Sequence, residues 1–259
     1  MNNSFLKRFT FAALLIGCVM LQSVVCQAAS LTGPNWSFEF QNVTPPFPVD
    51  TRVDSWQKAP KPAYFDEAAF GFLWDQTVGV FPNPAFGQPG YIDNMHGNQG
   101  AYFLAFPGAS LFQHYTTTDW RGTTGEFDAR YQVGQSYQLT VGLFGKGGMT
   151  TNSSFLLSLY YLDPANNPIT IAATAINYSS GLFSTPDHFL DFTANLGTVQ
   201  ASDAWAGQHI GIGLIVTGGD GIGYWDLDNV RLTAVPEPQL VAMLALGGGM
   251  LAFRRRVKL

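Results

Sequence analysis

The sequence predicts an all-β protein whose body is a β-sandwich. Residues 137–143 and 210–216 alternate apolar residues with polar or small ones, which is the period of two expected of half-buried strands. No stretch keeps a helical period, and turn signals such as Asp163–Pro168 separate the short strand candidates. Many short strands divided in this way indicate two packed sheets.

Eight further segments have the composition of strands, and one long segment does not. Residues 45-89 are rich in proline and aromatic residues and poor in alternation, so we expect an irregular insertion there. Its aromatic side chains fit either a small satellite core under the loop or exposed faces that stack on sugar rings. The further strands are expected at Trp36–Val43, Ala101–Ala105, Ser110–Thr116, Gly125–Tyr131, Ser153–Leu162, Ile169–Ile176, His188–Phe192 and Tyr224–Thr233.

The N-terminal end has the layout of a secretory signal peptide, predicted to span residues 1-29. Two basic residues precede the apolar run Phe9–Val25, and small residues follow it, so cleavage is expected near Ala28 or Ala29. A lipoprotein signal with Cys18 as the lipidated residue is one alternative, and an uncleaved membrane anchor is another. The signal layout predicts that the chain is exported.

The C-terminal end has a different pattern. Pro236, Glu237 and Pro238 precede an apolar stretch of 14 residues, Leu240–Phe253, and a basic end follows it. As a helix this stretch would be about 21 Å long, against about 30 Å for the hydrocarbon core of a bilayer. Its three consecutive glycines weaken a helix, and the basic end, with Arg254, Arg255, Arg256 and Lys258, favours the cytoplasmic side. These properties suit transient membrane contact better than a stable anchor.

Residues 235-259 thus contain a Pro-Glu-Pro motif, a short apolar stretch and a basic end in that order, and they resemble the PEP-CTERM sorting tail of Gram-negative bacteria. The resemblance implies an exosortase-type membrane processing enzyme as partner, usually encoded alongside exopolysaccharide genes. It makes Pro236, Glu237 and Pro238 a recognition element and implies transient inner-membrane contact. The implied destination is the cell envelope, cell surface or extracellular matrix. A proline-rich linker before a weak membrane helix is the alternative.

Removal of both ends leaves residues 30-234, enough for one well-buried domain. Seven basic residues remain there against all 18 acidic ones, a net charge of about −11 counting Glu237. This charge opposes binding to nucleic acid or anionic lipid but is compatible with neutral sugars and divalent cations. Both cysteines, Cys18 and Cys26, lie in the signal region, so neither disulfides nor thiolate metal sites are expected in the body.

Four short motifs of the body resemble galactose-binding-like jelly rolls, a group that includes many carbohydrate-binding modules. The resemblance implies a jelly-roll fold and a structural calcium ion held by Glu39 and Asp228 beside backbone carbonyls. Asn229 stands where a second aspartate is usual, which lowers the charge of the site. The motifs are Asn35–Glu39, Gly97–Tyr102 with Gln113, Val133–Thr140 and Tyr224–Leu232.

The parity of apolar residues independently marks the last of these motifs. Trp225 and Leu227 share one parity, and Val230 and Leu232 share the other, so a strand that buries all four must slip by one residue near Asp228. A β-bulge produces such a slip and turns carbonyls out of the ladder, where a calcium ion can bind them. The alternative is that the acidic residues here are solvated strand residues.

Trp120, with Arg121 as its polar partner, is the best single candidate for an exposed sugar-stacking platform. No catalytic residues are expected, because the four histidines lack metal spacing and no serine nucleophile elbow occurs. We therefore expect a non-catalytic binding or scaffolding module associated with exopolysaccharide or another glycan. The alternatives are a carbohydrate-active enzyme on the same scaffold and a purely structural matrix protein.

Overall fold

The computed structural model describes residues 28–40, 42–43 and 48–236, which belong to one compact unit. The predicted sorting residues Glu237, Pro238 and Arg254–Arg256 lie outside the described residues, as does nearly all of the predicted signal peptide. Within the described part of the chain, no helix has the length and apolar character needed to cross a membrane.

Two antiparallel sheets pack face to face and confirm the predicted jelly-roll β-sandwich. Sheet A has the order β3-β4-β11-β6-β9, with β1 also paired to β11, and sheet B has the order β2-β5-β10-β7-β8. The strands of sheet A are β1 Ala29–Leu31, β3 Val78–Pro82, β4 Gln99–Leu104, β6 Gln135–Lys146, β9 Leu190–Leu196 and β11 Tyr224–Pro236. Those of sheet B are β2 Gln57–Lys58, β5 Ser110–Gln113, β7 Ser154–Leu162, β8 Pro168–Asn177 and β10 Gly211–Gly218.

The core lies between the sheets and follows the alternation of the strands. Trp225 and Leu143 of sheet A and Leu157 and Leu214 of sheet B are fully buried. The Trp225 ring lies 5.8 Å from that of Phe155, so the two sheets meet through aromatic contact. Because each such side chain stabilises the fold by about 1.5–3 kcal/mol through burial, this alternation holds the sandwich together.

The strand predictions fail in two segments. The described residues of the predicted strand 36–43 form no strand; residues 34–37 form a turn and Phe38 a bend, because Asn35 and Phe38 adopt the left-handed backbone conformation. Residues 125–131 form no strand; only Arg130 makes an isolated bridge, to His209. In both segments the residues have strand-like composition, but tertiary contacts decide the backbone.

The predicted insertion 45-89 is more ordered than expected. It provides β2 and β3, the edge strands of the two sheets, together with helix α1 (Glu67–Phe70) and a 3₁₀ helix (Trp74–Thr77). The satellite core predicted as one alternative is present around Phe65, whose ring centroid lies 4.8–5.6 Å from those of its neighbours. These neighbours are Phe70, Phe72, Trp74 and Phe106.

The two ends of the described body meet on one strand. β1 pairs with the last part of β11, with Ala29 opposite Ala234 and Leu31 opposite Leu232. On the other side of β11, Val235 and Pro236 pair with Ser136 and Gln135 of β6. The first proline of the predicted sorting motif is therefore part of the sheet.

Candidate functional site

A groove of about 680 Å³ lies on the outer face of sheet A. Side chains that point outward from β4, β6 and β11 form its floor, among them Tyr102, Lys146, Tyr224 and Asp226. These positions alternate with the core residues of the same strands, so burial of the core face places them together on the opposite face. The volume lies within the range of small-molecule sites.

Residues from the insertion build the walls of the groove. Phe72, Phe81 and the segment at Val49 line it, which gives the site a mainly apolar and aromatic surface. The segment is held by mutual backbone hydrogen bonds between Asp50 and Val80, at 2.9 and 2.8 Å. Gly79 permits this approach, since a Cβ atom there would lie 2.3 Å from the Asp50 carbonyl oxygen.

One carboxyl and one ammonium group lie together in the groove. Asp226 is 1% exposed, and its Oδ2 lies 3.0 Å from Lys146 Nζ. Burial raises the pKa of Asp226 to about 7, although the positive charge of Lys146 opposes the shift. Burial lowers the pKa of Lys146, but Asp226 outweighs that effect and the net shift is upward. Lys146 therefore stays charged, while Asp226 changes its protonation near neutral pH.

Two tyrosines complete the floor beside this pair. The Tyr102 hydroxyl donates to the Gln76 carbonyl at 3.2 Å, which ties the floor to the 3₁₀ helix. Lys146 Nζ lies 5.6 Å from the centroid of the Tyr224 ring, within cation–π range. The groove thus combines flat aromatic surfaces with the carboxyl group of Asp226, which titrates near neutral pH, and the ammonium group of Lys146.

The predicted calcium ligands Glu39 and Asp228 lie on either side of one backbone segment, 96–99. Glu39 Oε1 accepts hydrogen bonds from the backbone N–H groups of Asn98 and Gln99 at 2.8 and 2.7 Å. Asp228 Oδ2 accepts one from the N–H of His96 at 2.5 Å. The structure therefore brings the two predicted carboxylates to the same backbone segment, although they stand 189 positions apart in the chain.

The bulge predicted at Asp228 is confirmed, because the register of β11 against β6 shifts between Asp228 and Arg231, and Asn229 has φ +56°. Asp228 is fully buried, and its Oδ1 has no hydrogen-bond partner among the described residues. Burial raises the pKa of Asp228 to about 8, and the charge of Glu39 adds to the shift.

A hard cation fits these groups, since a buried oxygen without a partner and a second carboxylate are suitable calcium ligands. No third Asp, Glu, His or Cys joins them to form a metal cluster in the described ranges, so backbone carbonyls and water would supply the other ligands.

Trp120 is about half exposed, as a stacking platform requires. However, the guanidinium carbon of Arg52 lies 4.8 Å from the centroid of its ring and covers one face. Its Nε1 donates to Asp54 Oδ1 at 2.5 Å, which fixes the ring in place. One face of the indole therefore remains for a ligand.

Arg121, predicted as the polar partner of Trp120, forms ion pairs with two aspartates of the protein. It lies 2.5 Å from Asp119 Oδ2 through its terminal nitrogen and 3.3 Å from Asp54. Asp119 also accepts backbone hydrogen bonds from Ser55 and Thr123, so this ion pair joins three segments. Arg121 accordingly holds the loop that carries Trp120.

Sequence reasoning missed the groove. Its floor comes from three strands that are distant in the sequence, and its walls come from the insertion. The available signal was the alternation Tyr224, Asp226, Asp228, which puts three polar residues on one face of a strand whose other face is apolar. An acidic residue in the middle of a central strand requires either a partner or a ligand.

No family model matches the sequence, and no curated protein matches it either. The fold is similar to that of a cyclase from Fischerella sp. TAU, with 23% identity, a TM-score of 0.57 and coverage of 82% of this chain and 100% of that chain. The cyclase from Fischerella sp. TAU in complex with 4-(1H-indol-3-yl)butan-2-one is 22% identical, with a TM-score of 0.57 and coverage of 82% of this chain and 100% of that chain. The CBM22-1 xylan-binding domain from Paenibacillus barcinonensis Xyn10C is 11% identical, with a TM-score of 0.35 and coverage of 62% of this chain and 82% of that chain. At these identities the likeness to the two cyclase structures concerns the fold alone.

Proposed function

We propose that the chain is an exported, non-catalytic binding protein whose ligand lies in the groove on sheet A. The observation that carries the proposal is the buried Asp226 beside Lys146 on the floor of an aromatic-walled cavity. A core needs no such pair, and burying it costs free energy unless the groups have partners. A few polar groups in an apolar cavity are the usual composition of a small-molecule site.

The ligand that suits this groove is a small molecule with a flat apolar body and one polar group. The rings of Phe81, Tyr102 and Tyr224 offer surfaces for the apolar body. Lys146 donates hydrogen bonds to an acceptor on the ligand, and Asp226 donates or accepts according to its protonation state. A ligand with several charges would lose its hydration in this groove without compensation.

Export and sorting form the second part of the proposal. The signal layout and the PEP-CTERM-like tail support delivery through the inner membrane by an exosortase-type system to the envelope or matrix. Association with exopolysaccharide is inferred from the same tail and from the acidic body, which suits neutral glycans. The half-exposed indole of Trp120 is one candidate for such a contact.

The third part is a structural calcium ion held by Glu39 and Asp228. An ion there would neutralise two carboxylates that lie close to one backbone segment, and it would join the first motif of the body to the last strand. Support comes from the unpartnered Oδ1 of Asp228 and from the glycine at 97, where a Cβ atom would lie 2.5 Å from Glu39 Oε1.

A catalytic function is the second candidate, and the pKa of Asp226, about 7, favours it. A carboxyl group that carries a proton near neutral pH can act as a general acid on a ligand in the groove. The proteins of similar fold named above are cyclases, and proton donation is one chemistry that this groove could provide. A glycosidase is disfavoured, because only one carboxylate lines the groove among the described residues and the reaction uses two.

Isothermal titration calorimetry with 4-(1H-indol-3-yl)butan-2-one, a flat apolar probe with one acceptor, tests the groove. We expect wild type and Asp191→Asn, an exposed carboxylate variant, to bind equally and Asp226→Asn to bind about tenfold more weakly, since one hydrogen bond to a charged group changes. Equal binding by Asp226→Asn, or no binding by folded wild type, would contradict the proposal. Conversion of the probe to a product, detected by mass spectrometry, would favour the catalytic function.

A further inference from the structure

A second pocket, of about 370 Å³, lies on the outer face of sheet B, on the opposite side of the sandwich from the groove. One row of outward residues crosses the sheet there, from Phe112 on β5 through Gly213 and Ser158 to Ala173 on β8. The three small residues leave a depression between larger neighbours, with the Phe112 ring at one end. Gly213 keeps the floor open, since a Cβ atom there would lie 2.5 Å from Ser158 Oγ.

This pocket carries no formal charge. Its lining residues include no Asp, Glu, Lys or Arg, and burial lowers the pKa of the single histidine, His114. The rim provides hydroxyl and amide groups, such as those of Thr116, Thr170 and Asn166. The pocket thus offers hydroxyl groups, an amide and an aromatic ring without a formal charge, on a body whose net charge is about −11.

Two polar atoms of residues that line the pocket make no hydrogen bond to protein among the described residues. Tyr160 is 5% exposed, and its hydroxyl makes no hydrogen bond, whereas the Tyr131 hydroxyl donates to the Tyr160 carbonyl at 3.0 Å. His114 Nδ1 accepts from the Thr116 N–H at 3.3 Å, which places the ring hydrogen on Nε2. The pocket therefore presents two donors, Tyr160 O–H and His114 Nε2–H, that are available to a ligand.

We propose that this pocket binds a short stretch of a neutral polysaccharide. A sugar ring has an apolar face that fits the Phe112 ring and the small-residue floor, and hydroxyl groups that accept from Tyr160 and His114. A charged saccharide is excluded, because its carboxylate would be desolvated with no counter-charge in the pocket. The site is separate from the groove on sheet A, and it deepens the proposed association with exopolysaccharide by naming the surface that makes it.

The test is calorimetric titration of the full chain with xylohexaose, a neutral oligosaccharide, and with oligogalacturonate, a charged one. We expect xylohexaose to bind and oligogalacturonate not to bind. Tyr160→Phe removes only the hydroxyl and should weaken xylohexaose binding about tenfold, the loss typical of one buried hydrogen bond. Tyr102→Phe removes a tyrosine hydroxyl from the groove on sheet A and should leave xylohexaose binding unchanged.

A second pair of variants keeps the test independent of that hydroxyl. Gly213→Ala fills the floor of the pocket and should reduce binding at least tenfold, while Gly181→Ala, where a Cβ atom meets nothing within 4 Å, should not. Unchanged melting temperatures would show that all variants fold. Equal binding by Tyr160→Phe and wild type, equal binding of the charged sugar, or no binding of xylohexaose would overturn the proposal. Loss of xylohexaose binding in Tyr102→Phe alone would place the sugar in the groove instead.

Discussion

Asp228 gives the sharpest prediction about stability, because its protonation links pH, calcium and folding. Its pKa is raised from 3.8 to about 8 in the folded chain, chiefly by burial and further by the charge of Glu39, against the hydrogen bonds that it accepts from the backbone of His96 and Asn229. Between these two values the folded state binds more protons than the unfolded state. The free energy of unfolding must therefore fall as pH rises through this window, and the stabilisation is complete only below the unfolded pKa.

The size of the effect follows from the shift. Each pH unit inside the window changes the free energy of unfolding by about 1.4 kcal/mol for one group, so Asp228 lowers it by at most about 4 kcal/mol between pH 5 and pH 8. Asp228→Asn carries no titrating proton and should lose this part of the pH dependence. Saturating calcium should remove it too, because the ion binds the ionised carboxylate and stabilises the folded state by about 2.7 kcal/mol at a hundred times its Kd.

Urea unfolding followed by tryptophan fluorescence measures both effects, at pH 5 and pH 8, in chelator and in calcium. The variants are Asp228→Asn and, as the matched control, Asp191→Asn, which removes the same charge from a side chain that is 57% exposed. Identical pH dependence of wild type and Asp228→Asn in chelator would refute the claim that a buried proton sits on Asp228. A wild-type stability at pH 8 that is the same in calcium and chelator would refute the calcium site.

Three further predictions concern other parts of the fold. The raised pKa of Asp226, about 7 in the folded chain, should make the free energy of unfolding fall between about pH 4 and pH 7, and Asp226→Asn should remove this fall. The same pH profile for the variant and the wild type in urea unfolding would contradict this prediction. Gly97→Ala should lower the melting temperature and abolish any stabilisation by calcium, since the φ of Gly97 is +96° and a Cβ atom would lie 2.5 Å from Glu39 Oε1. An unchanged melting temperature in a thermal melt, with calcium still stabilising the variant, would contradict the position of Glu39 beside this segment. Phe65→Ala should cost about 3–5 kcal/mol in urea unfolding, and the 86% exposed Phe86→Ala less than about 0.5; similar losses would mean that the satellite core does not pack.

Sequence patterns predicted the central strands well because burial on one face dictates their alternation. The strand at 137–143 and the bulge at Asp228 both follow from apolar parity, and the structure has both. The end strands β2 and β3 were not predicted, since a short edge strand shows too few alternating positions to reveal itself. Residues 36–43 were predicted as a strand, but the left-handed turn that begins at Asn35 depends on contacts such as the hydrogen bond from Asn35 Nδ2 to the Asp54 carbonyl.

The candidate sites differ in how far the sequence could reveal them. Glu39 and Asp228 were predicted as a pair from family resemblance, and the structure places them beside one segment. Trp120 was predicted as exposed, and it is. The ion pair of Arg121 with Asp119 could not be predicted, because it forms only in the folded loop. The groove around Asp226 and the pocket around Tyr160 each combine several strands and could be seen only once the sheet order was known.

The pairing of β1 and β6 on either side of the end of β11 has a mechanical consequence. A pull on the chain beyond Pro236 is transmitted along β11, parallel to the strand and at right angles to its hydrogen bonds. The ladder to β6 spans Tyr224 to Pro236, and β1 adds three residue pairs beside it, so many bonds share the load at once instead of opening one by one. A body held to a surface through its C-terminal end would thus resist extension at the attachment point, without a disulfide to reinforce it.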